Sequence, residues 1–269
     1  MTISGLELAS LATSRLFFLL FARCAGLTWF APVFCGVELS KRCRVVCAVL
    51  FAALVFPAIS VNIGVDTSLL TIFSVASAFR FLLAFAFEFF IGAVLGLSLK
   101  LFFQGVYLAG EAIARVGGVS VAESFDPSLG GESSATSSFL FWLAIAVFAS
   151  CGGLEAFTDG FLSFLVLTPP SEVVASEELI DRLLSTLSHS FILGLRIAAP
   201  TILATAAVYL AVGVNSRLFP QASLSLVSFN INALLTLVLF FLCIGVFCQV
   251  FESEITRMIG NLFIHGAEP

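Results

Sequence analysis

LLTIFSVASAFRFLLAFAFEFFIGAVLGLSLKLFF, residues 69–103, is the stretch whose reading decides the fold. Apart from Lys100 near its end, charge enters it only at Arg80 and Glu88. About 20 mostly apolar residues suffice to cross a bilayer, and this run exceeds that length. Five other apolar stretches accompany it: 11–31, 45–63, 139–167, 191–214 and 224–250. The fourth run in chain order, 139–167, is broken by Cys151-Gly152-Gly153. The expected fold class is therefore all-α, an integral membrane bundle of about six apolar segments forming a single domain over residues 1–269. The third and fourth runs also fit helical hairpins that enter the membrane without crossing it.

Composition agrees. Of 269 residues 60% are hydrophobic and 11% charged, with a mean hydropathy of +1.13. A soluble domain carries about 25% charged residues because its surface faces water, so lipid or partner proteins must cover much of this one. The net charge is −5 and Lys occurs only at Lys41 and Lys100. Without a cationic stripe to neutralise phosphates, nucleic-acid binding is excluded. Arg15, the first positive charge, already lies within an apolar run; a cleavable signal peptide would place a basic region before it, so the first helix is expected to be retained.

Punctuation falls between the runs. Pro32, Gly36, Pro57, Pro127, Pro169-Pro170 and Pro220 mark helix ends or kinks. Residues 168–181 (TPPSEVVASEELID) form an acidic loop, in which Glu177 and Glu178 after Ser176 fit a helix start. Lys41, Arg42 and Arg44, then Lys100 and Arg115, then Arg217, lie on alternate connections. The excess of Lys and Arg on cytoplasmic loops then predicts six spans with both termini outside.

Charges within the runs are the first functional candidates. Arg15 and Arg23 lie in the first, Arg80 and Glu88 in the third, Arg196 in the fifth. Charge at membrane depth is costly and faces protein, a partner or water. Arg80 and Glu88, eight residues apart, fall about 80° apart round a helix; that is too far for a direct pair, so each needs another partner. An ion pathway and ordinary structural pairing both fit. No segment carries the dense series of carboxylates and histidines that a proton relay requires.

The second candidate is the central segment 109–132, AGEAIARVGGVSVAESFDPSLGGE, rich in glycine and small polar residues between apolar runs. Irregular backbone at membrane depth survives only buried in protein or beside a water-filled cavity. Lying deep, this segment lines a conduit; lying at the surface, it is a loop. Glu111 and Arg115 are spaced for an i,i+4 helical ion pair. Gly92 and Gly96 form a GxxxG, which allows close approach of helix backbones.

Catalysis finds no support. Gly118-Val119-Ser120 is followed by Val121-Ala122 rather than the glycine of a GxSxG nucleophile turn, and His189 and His265 stand apart. No Gly-rich loop runs into Lys-Ser/Thr, which excludes nucleotide hydrolysis. Seven cysteines are scattered; Cys43 and Cys47 could share a helix face, but no second Cys/His pair completes a zinc set. No catalytic residue, metal or cofactor is expected.

Three blocks, in order along the chain, resemble the FliR/SctT family of type III export-apparatus proteins. The first is RCAGLTWFAPVFCGVELSKRCR, Arg23 to Arg44, with its Ala31-Pro32 and basic cluster. The second runs from Ala109-Gly110-Glu111 to Phe125-Asp126-Pro127. The third is GLRIAAPTILATAAVYLAVGVNSRLFPQ, Gly194 to Gln221, whose Ala199-Pro200, Gly213, Arg217 and Pro220-Gln221 are similar to that family's signature. Ser228-Phe229-Asn230 departs from it, standing where the family carries a proline turn, and Val121 and Ser124 stand where bulkier loop residues are usual.

The resemblance implies a subunit of the flagellar export gate in the bacterial inner membrane, at the basal body. It would assemble with FliP-like and FliQ-like subunits and an FlhB-like subunit, in contact with lipid and with export substrates in transit. It implies tilted helical hairpins in place of conventional spans. It also implies a pore or gate loop at Gly117, Gly118, Val119, Ser120, Ser124, Phe125, Asp126 and Pro127. There the glycines supply backbone freedom, Phe125 an apolar contact at the constriction, and Asp126-Pro127 the loop's exit. Arg23, Arg80, Glu88 and Arg196 would find buried partners in neighbouring subunits, with Glu111, Arg115 and Arg217 completing the charged set. An injectisome export subunit is the nearest alternative, separable by its neighbouring genes. A stand-alone secondary transporter would show two related halves, and no internal repeat is visible.

Overall fold

The computed structural model describes residues 5–32, 40–60, 75–118, 134–168, 176–218 and 224–263. Among them there is no strand, and seven helices follow in order: α1 (Gly5–Phe30), α2 (Lys41–Ser60), α3 (Val75–Val116), α4 (Ala135–Ser150), α5 (Gly153–Leu167), α6 (Ser176–Leu218) and α7 (Leu224–Phe263). The protein is an all-α membrane bundle. Three described helical segments are long and apolar enough to cross a bilayer, Phe81–Val116, Ile180–Ala211 and Leu234–Phe263. The α4–α5 pair, bent by 69°, makes up to a fourth.

Helix ends follow the local chemistry. Pro32, with φ locked and no N–H to donate, stops α1 just after Phe30. At the start of α4 the Ser134 hydroxyl accepts from the Ser137 N–H at 3.2 Å, filling one of the orphan donors of a first turn. α4 ends where Cys151 N–H donates to the Val147 carbonyl (2.9 Å). Gly152 then takes φ 74°, a left-handed conformation that side chains with a Cβ resist, and α5 leaves in a new direction. The broken fourth run is thus a bent pair.

The third run differs from the hairpin alternative. From Val75 to Val116 it is one continuous helix of 42 residues, with no proline inside it. α7 likewise runs on to Phe263, past the charged stretch Glu252–Arg257 at which hydropathy falls.

The chain divides into two compact units. One comprises Met1–Lys100, Glu155–Thr186 and Ile259–Pro269; the other comprises Leu101–Leu154 and Leu187–Met258. In the first, α1 and α3 meet backbone to backbone. A Cβ on Gly92 would clash with the carbonyl oxygen of Arg23, one on Gly96 with that of Leu27, and one on Gly26 with that of Phe89. The GxxxG at 92–96 is therefore a helix-crossing seam, completed by Gly26 from the other side. Phe157 packs edge-on against Phe263 at 5.3 Å, and Phe51 meets Phe161 at a tilt, 5.6 Å between ring centres. In the second unit, Phe102 stacks on Phe251 (5.3 Å), Phe251 on Phe247 (5.6 Å), and Phe103 meets Phe148 edge-on (5.4 Å).

Gly92→Val is expected to force α1 and α3 apart, at about 3 kcal/mol, the upper end of overpacking costs. Most of the chain should then vanish from the membrane fraction. Gly245→Ala, at a glycine with nothing within 4 Å of an added Cβ, should leave its amount unchanged on immunoblots.

Candidate functional site

Residues 119–133, including the gate-loop candidates Val119, Ser120, Ser124, Phe125, Asp126 and Pro127, lie outside the described residues. Both ends of that segment are described, and both are tied down. On the entry side the helix persists through Val116, so residues 109–116 are helical rather than irregular. The anticipated Glu111–Arg115 pair forms there at 3.2 Å, with Arg115 exposed, and Ala and Ile favour the helix around it. Gly117 N–H donates to the Ile113 carbonyl at 2.8 Å, and Gly118 adopts φ 74°. That is the left-handed glycine that commonly ends a helix.

Two contacts hold this end in place. The Tyr209 hydroxyl of α6 donates to the Val116 carbonyl at 2.7 Å, satisfying one of the last-turn acceptors a helix leaves open. Gly117 lies so close to the Thr236 side chain of α7 that a Cβ would overlap it. On the exit side, the Ser134 N–H donates to Glu111 Oε2 at 3.5 Å. Glu111 thus faces both Arg115 and the first residue after the segment. Gly110 adds a close approach, since its Cβ would lie 2.5 Å from the Ser137 Cα. The described residues on either side of 119–133, Val116–Gly117 and Ser134, are thus each held by contacts to helix residues.

The other unit holds a buried ion pair. Arg23 on α1 is fully buried, and its Nε donates to Glu88 Oε2 on α3 at 2.5 Å. Its Nη1 donates to the Thr168 carbonyl just beyond α5, at 2.9 Å, and its guanidinium lies 5.5 Å from the centre of the Phe164 ring. Carboxylate, carbonyl and ring replace part of the hydration that burial removes; the Arg23 Nη2 is buried without a hydrogen-bond partner. Arg23 and Glu88 therefore find each other within the chain, where the resemblance implied partners in neighbouring subunits. Glu88, Gly92 and Gly96 form one i,i+4 row, and the backbones of Arg23 and Leu27 face it. The close crossing is what brings the two charges within reach.

The chain matches the family described as "Bacterial export proteins, family 1" over residues 15–258. It belongs to that family. Its relatives include proteins named flagellar biosynthetic protein FliR. The one from Pectobacterium carotovorum subsp. carotovorum is 29% identical over 257 residues, 91% of this chain and 92% of the relative. The one from Caulobacter vibrioides is 25% identical over 241 residues, covering 90% and 93%. The Escherichia coli protein is 24% identical over 255 residues, covering 92% of each chain.

The remaining charged candidates of this export-family chain fall as follows. Arg196 on α6 bonds Glu254 of α7 at 2.5 Å, and Arg257 bonds the same carboxylate oxygen at 3.1 Å. Arg80 and Arg217 lie within α3 and α6, and their side chains are outside the described set. Glu254, Arg257 and Tyr209 were missed from sequence. Glu254 and Arg257 sit beyond the last apolar run, and nothing in the local pattern around Tyr209 signals a bond to a residue 93 positions away. Among the described residues no group of three or more His, Cys, Asp or Glu could hold a metal.

Truncating one member of a buried pair leaves the other charge uncompensated, at about 3–5 kcal/mol, whereas replacing both by apolar groups is often neutral. Glu88→Ala should therefore deplete the chain from membranes and lower the thermal midpoint of the detergent-purified protein. The double substitution Arg23→Met with Glu88→Leu should recover most of that loss, measured by the same two assays.

Proposed function

We propose that this chain is a subunit of the flagellar type III export apparatus, and that residues 117–133 help close the channel through which unfolded substrates cross the inner membrane. The observation that carries the gate assignment is the stem. A glycine- and serine-rich stretch fastened at Val116 by Tyr209, at Gly117 by Thr236 and at Ser134 by Glu111 is held at one place in the bundle. A loosely attached surface loop has no need of such fastening. Irregular backbone at membrane depth is stable only beside protein or water, and an aqueous passage supplies the water.

Several features support the assembly role. The apolar window of Leu234–Phe263 is only 22% buried, and that of Ile180–Ala211 only 33%, so lipid or further subunits must cover the rest. FliP-like, FliQ-like and FlhB-like chains are the proposed partners, and the relatives' names favour a flagellar system. The chain performs no catalysis in this scheme. It shapes a conduit, and other components drive transport.

Deleting Val119–Phe125 is expected to let small solutes leak across the membrane of cells carrying the assembled apparatus, measured as uptake of a normally excluded dye. Unchanged permeability, with the deleted chain present at normal levels, would count against the gate role. Cysteines placed at positions 119–127 should crosslink to a stalled export substrate, and consistent failure to do so would favour a scaffold away from the channel.

A further inference from the structure

Two contacts set the register of α1 against α2. Phe17 meets Phe56 edge-on at 5.5 Å, and the Arg44 guanidinium lies 5.7 Å from the centre of the Trp29 ring. Position 17 faces 56 and 29 faces 44, so the helices run antiparallel in constant register. Lys41 and Arg42 therefore lie level with the end of α1. On the other side of α1, Arg23 faces Gly92 and Leu27 faces Gly96. One further turn of that parallel register brings Lys100 to the same end. Lys41, Arg42, Arg44 and Lys100 thus share one level with the indole of Trp29, which is 40% exposed.

No ion pair of the described residues engages these four cations, and all but Arg44 are exposed. Arg44 Nε is buried with no hydrogen-bond partner. Glu38, the one acid between α1 and α2, offsets at most one of the four charges. Lys41, Arg42 and Arg44 also open α2, at the positive end of its dipole, where cations are unfavourable unless an anion answers them.

Exposed apolar surface stops at the same level. On α3, Phe79, Leu82, Leu83, Phe87, Phe89 and Phe90 all precede Lys100 and are exposed, whereas from Leu101 to Val116 only Leu108 among the large apolar side chains is. On α2, the exposed Val46, Leu50 and Leu54 form an i,i+4 row leading away from the cations. Apolar surface that ends in an exposed indole and a ring of cations matches a membrane boundary, with acyl chains on one side and phosphates at the edge.

We propose that Lys41, Arg42 and Arg44 bind the phosphodiester headgroup of an anionic membrane lipid, with Lys100 adding to the local potential and the acyl chains lying along Val46, Leu50 and Leu54. The site is independent of the gate segment.

Trp29 reports on this site directly, because the chain has one other tryptophan, Trp142. The full chain carrying Trp142→Phe would be reconstituted into phosphatidylcholine vesicles containing lipid brominated high on its acyl chains, and quenching of Trp29 measured. Brominated phosphatidylglycerol should quench at a mole fraction at least fivefold lower than brominated phosphatidylcholine, about the effect of one Lys or Arg at a charged membrane surface. Lys41→Gln with Arg42→Gln should abolish that preference. Arg115→Gln with Arg257→Gln, which removes the same charge elsewhere, should keep it. Inorganic phosphate at constant ionic strength should leave it unchanged. Equal quenching by the two lipids would overturn the inference and leave an acidic face of another chain as the occupant. A preference that survives Lys41→Gln with Arg42→Gln would place the lipid elsewhere, and one erased by inorganic phosphate would mean a free-anion site; either sinks the proposal. If Trp142→Phe does not accumulate, mass spectrometry of the lipids retained by the detergent-extracted wild-type chain and by the two double variants makes the same comparison.

Discussion

Where α1 crosses α3, glycine stands in place of side chains on both helices, and a carboxylate and a guanidinium are sealed beside the crossing. Each feature requires the other. Without Gly26, Gly92 and Gly96 the two backbones could not approach closely, and Arg23 would not reach Glu88. Without the pair, the close crossing would hold two buried charges with nothing to answer them. The seam then recruits a third element, because Arg23 also ties down the Thr168 carbonyl at the end of α5 and lies over Phe164. Thr168 immediately precedes Pro169-Pro170, so the arginine satisfies an open carbonyl where the chain cannot continue as helix.

How much of this was legible depended on whether the determinant was local. Pro32 ends α1, Cys151-Gly152-Gly153 divides α4 from α5, and Ser176 begins α6, because φ restriction, a left-handed glycine and a first-turn carboxylate pair act within a few residues. The GxxxG at 92–96 was visible as a pattern, but its partner strip was not, since Gly26 has no second glycine four residues away. Helix lengths exceed the apolar runs, because helix continues where hydropathy falls. α3 runs through Glu111 and Arg115, and α7 through Glu252, Glu254 and Arg257. These residues favour the helix and find partners along it or across to α6, so hydropathy falls while the backbone continues.

The central segment shows the same distinction. By composition 109–132 is one glycine-rich stretch, but the Glu111–Arg115 spacing within it signals helix, and the helix indeed runs through Val116 before Gly118 turns left-handed. The stem depends on residues remote in sequence, Tyr209 and Thr236, that composition could not associate with it. Their contacts give the segment a fixed origin, and a fixed origin is what separates an element able to obstruct a passage from a tether that drifts. The glycines allow the helix to end there, and Tyr209 and Thr236 fix where it ends.

Two arginines in apolar helices, Arg23 and Arg196, have opposite surroundings, and the contrast is informative. Arg23 is enclosed by a carboxylate, a carbonyl and an aromatic face; its charge is balanced within one chain, so it contributes to holding that chain together. Arg196 shares its carboxylate with Arg257 and stays half exposed along a greasy stripe. A charge whose compensation is complete looks inward and serves the fold. Arg196 lies only five residues into the apolar run 191–214, and its partners Glu254 and Arg257 lie past the run that ends at 250, so its charge is met at the end of the apolar stretches rather than sealed within them.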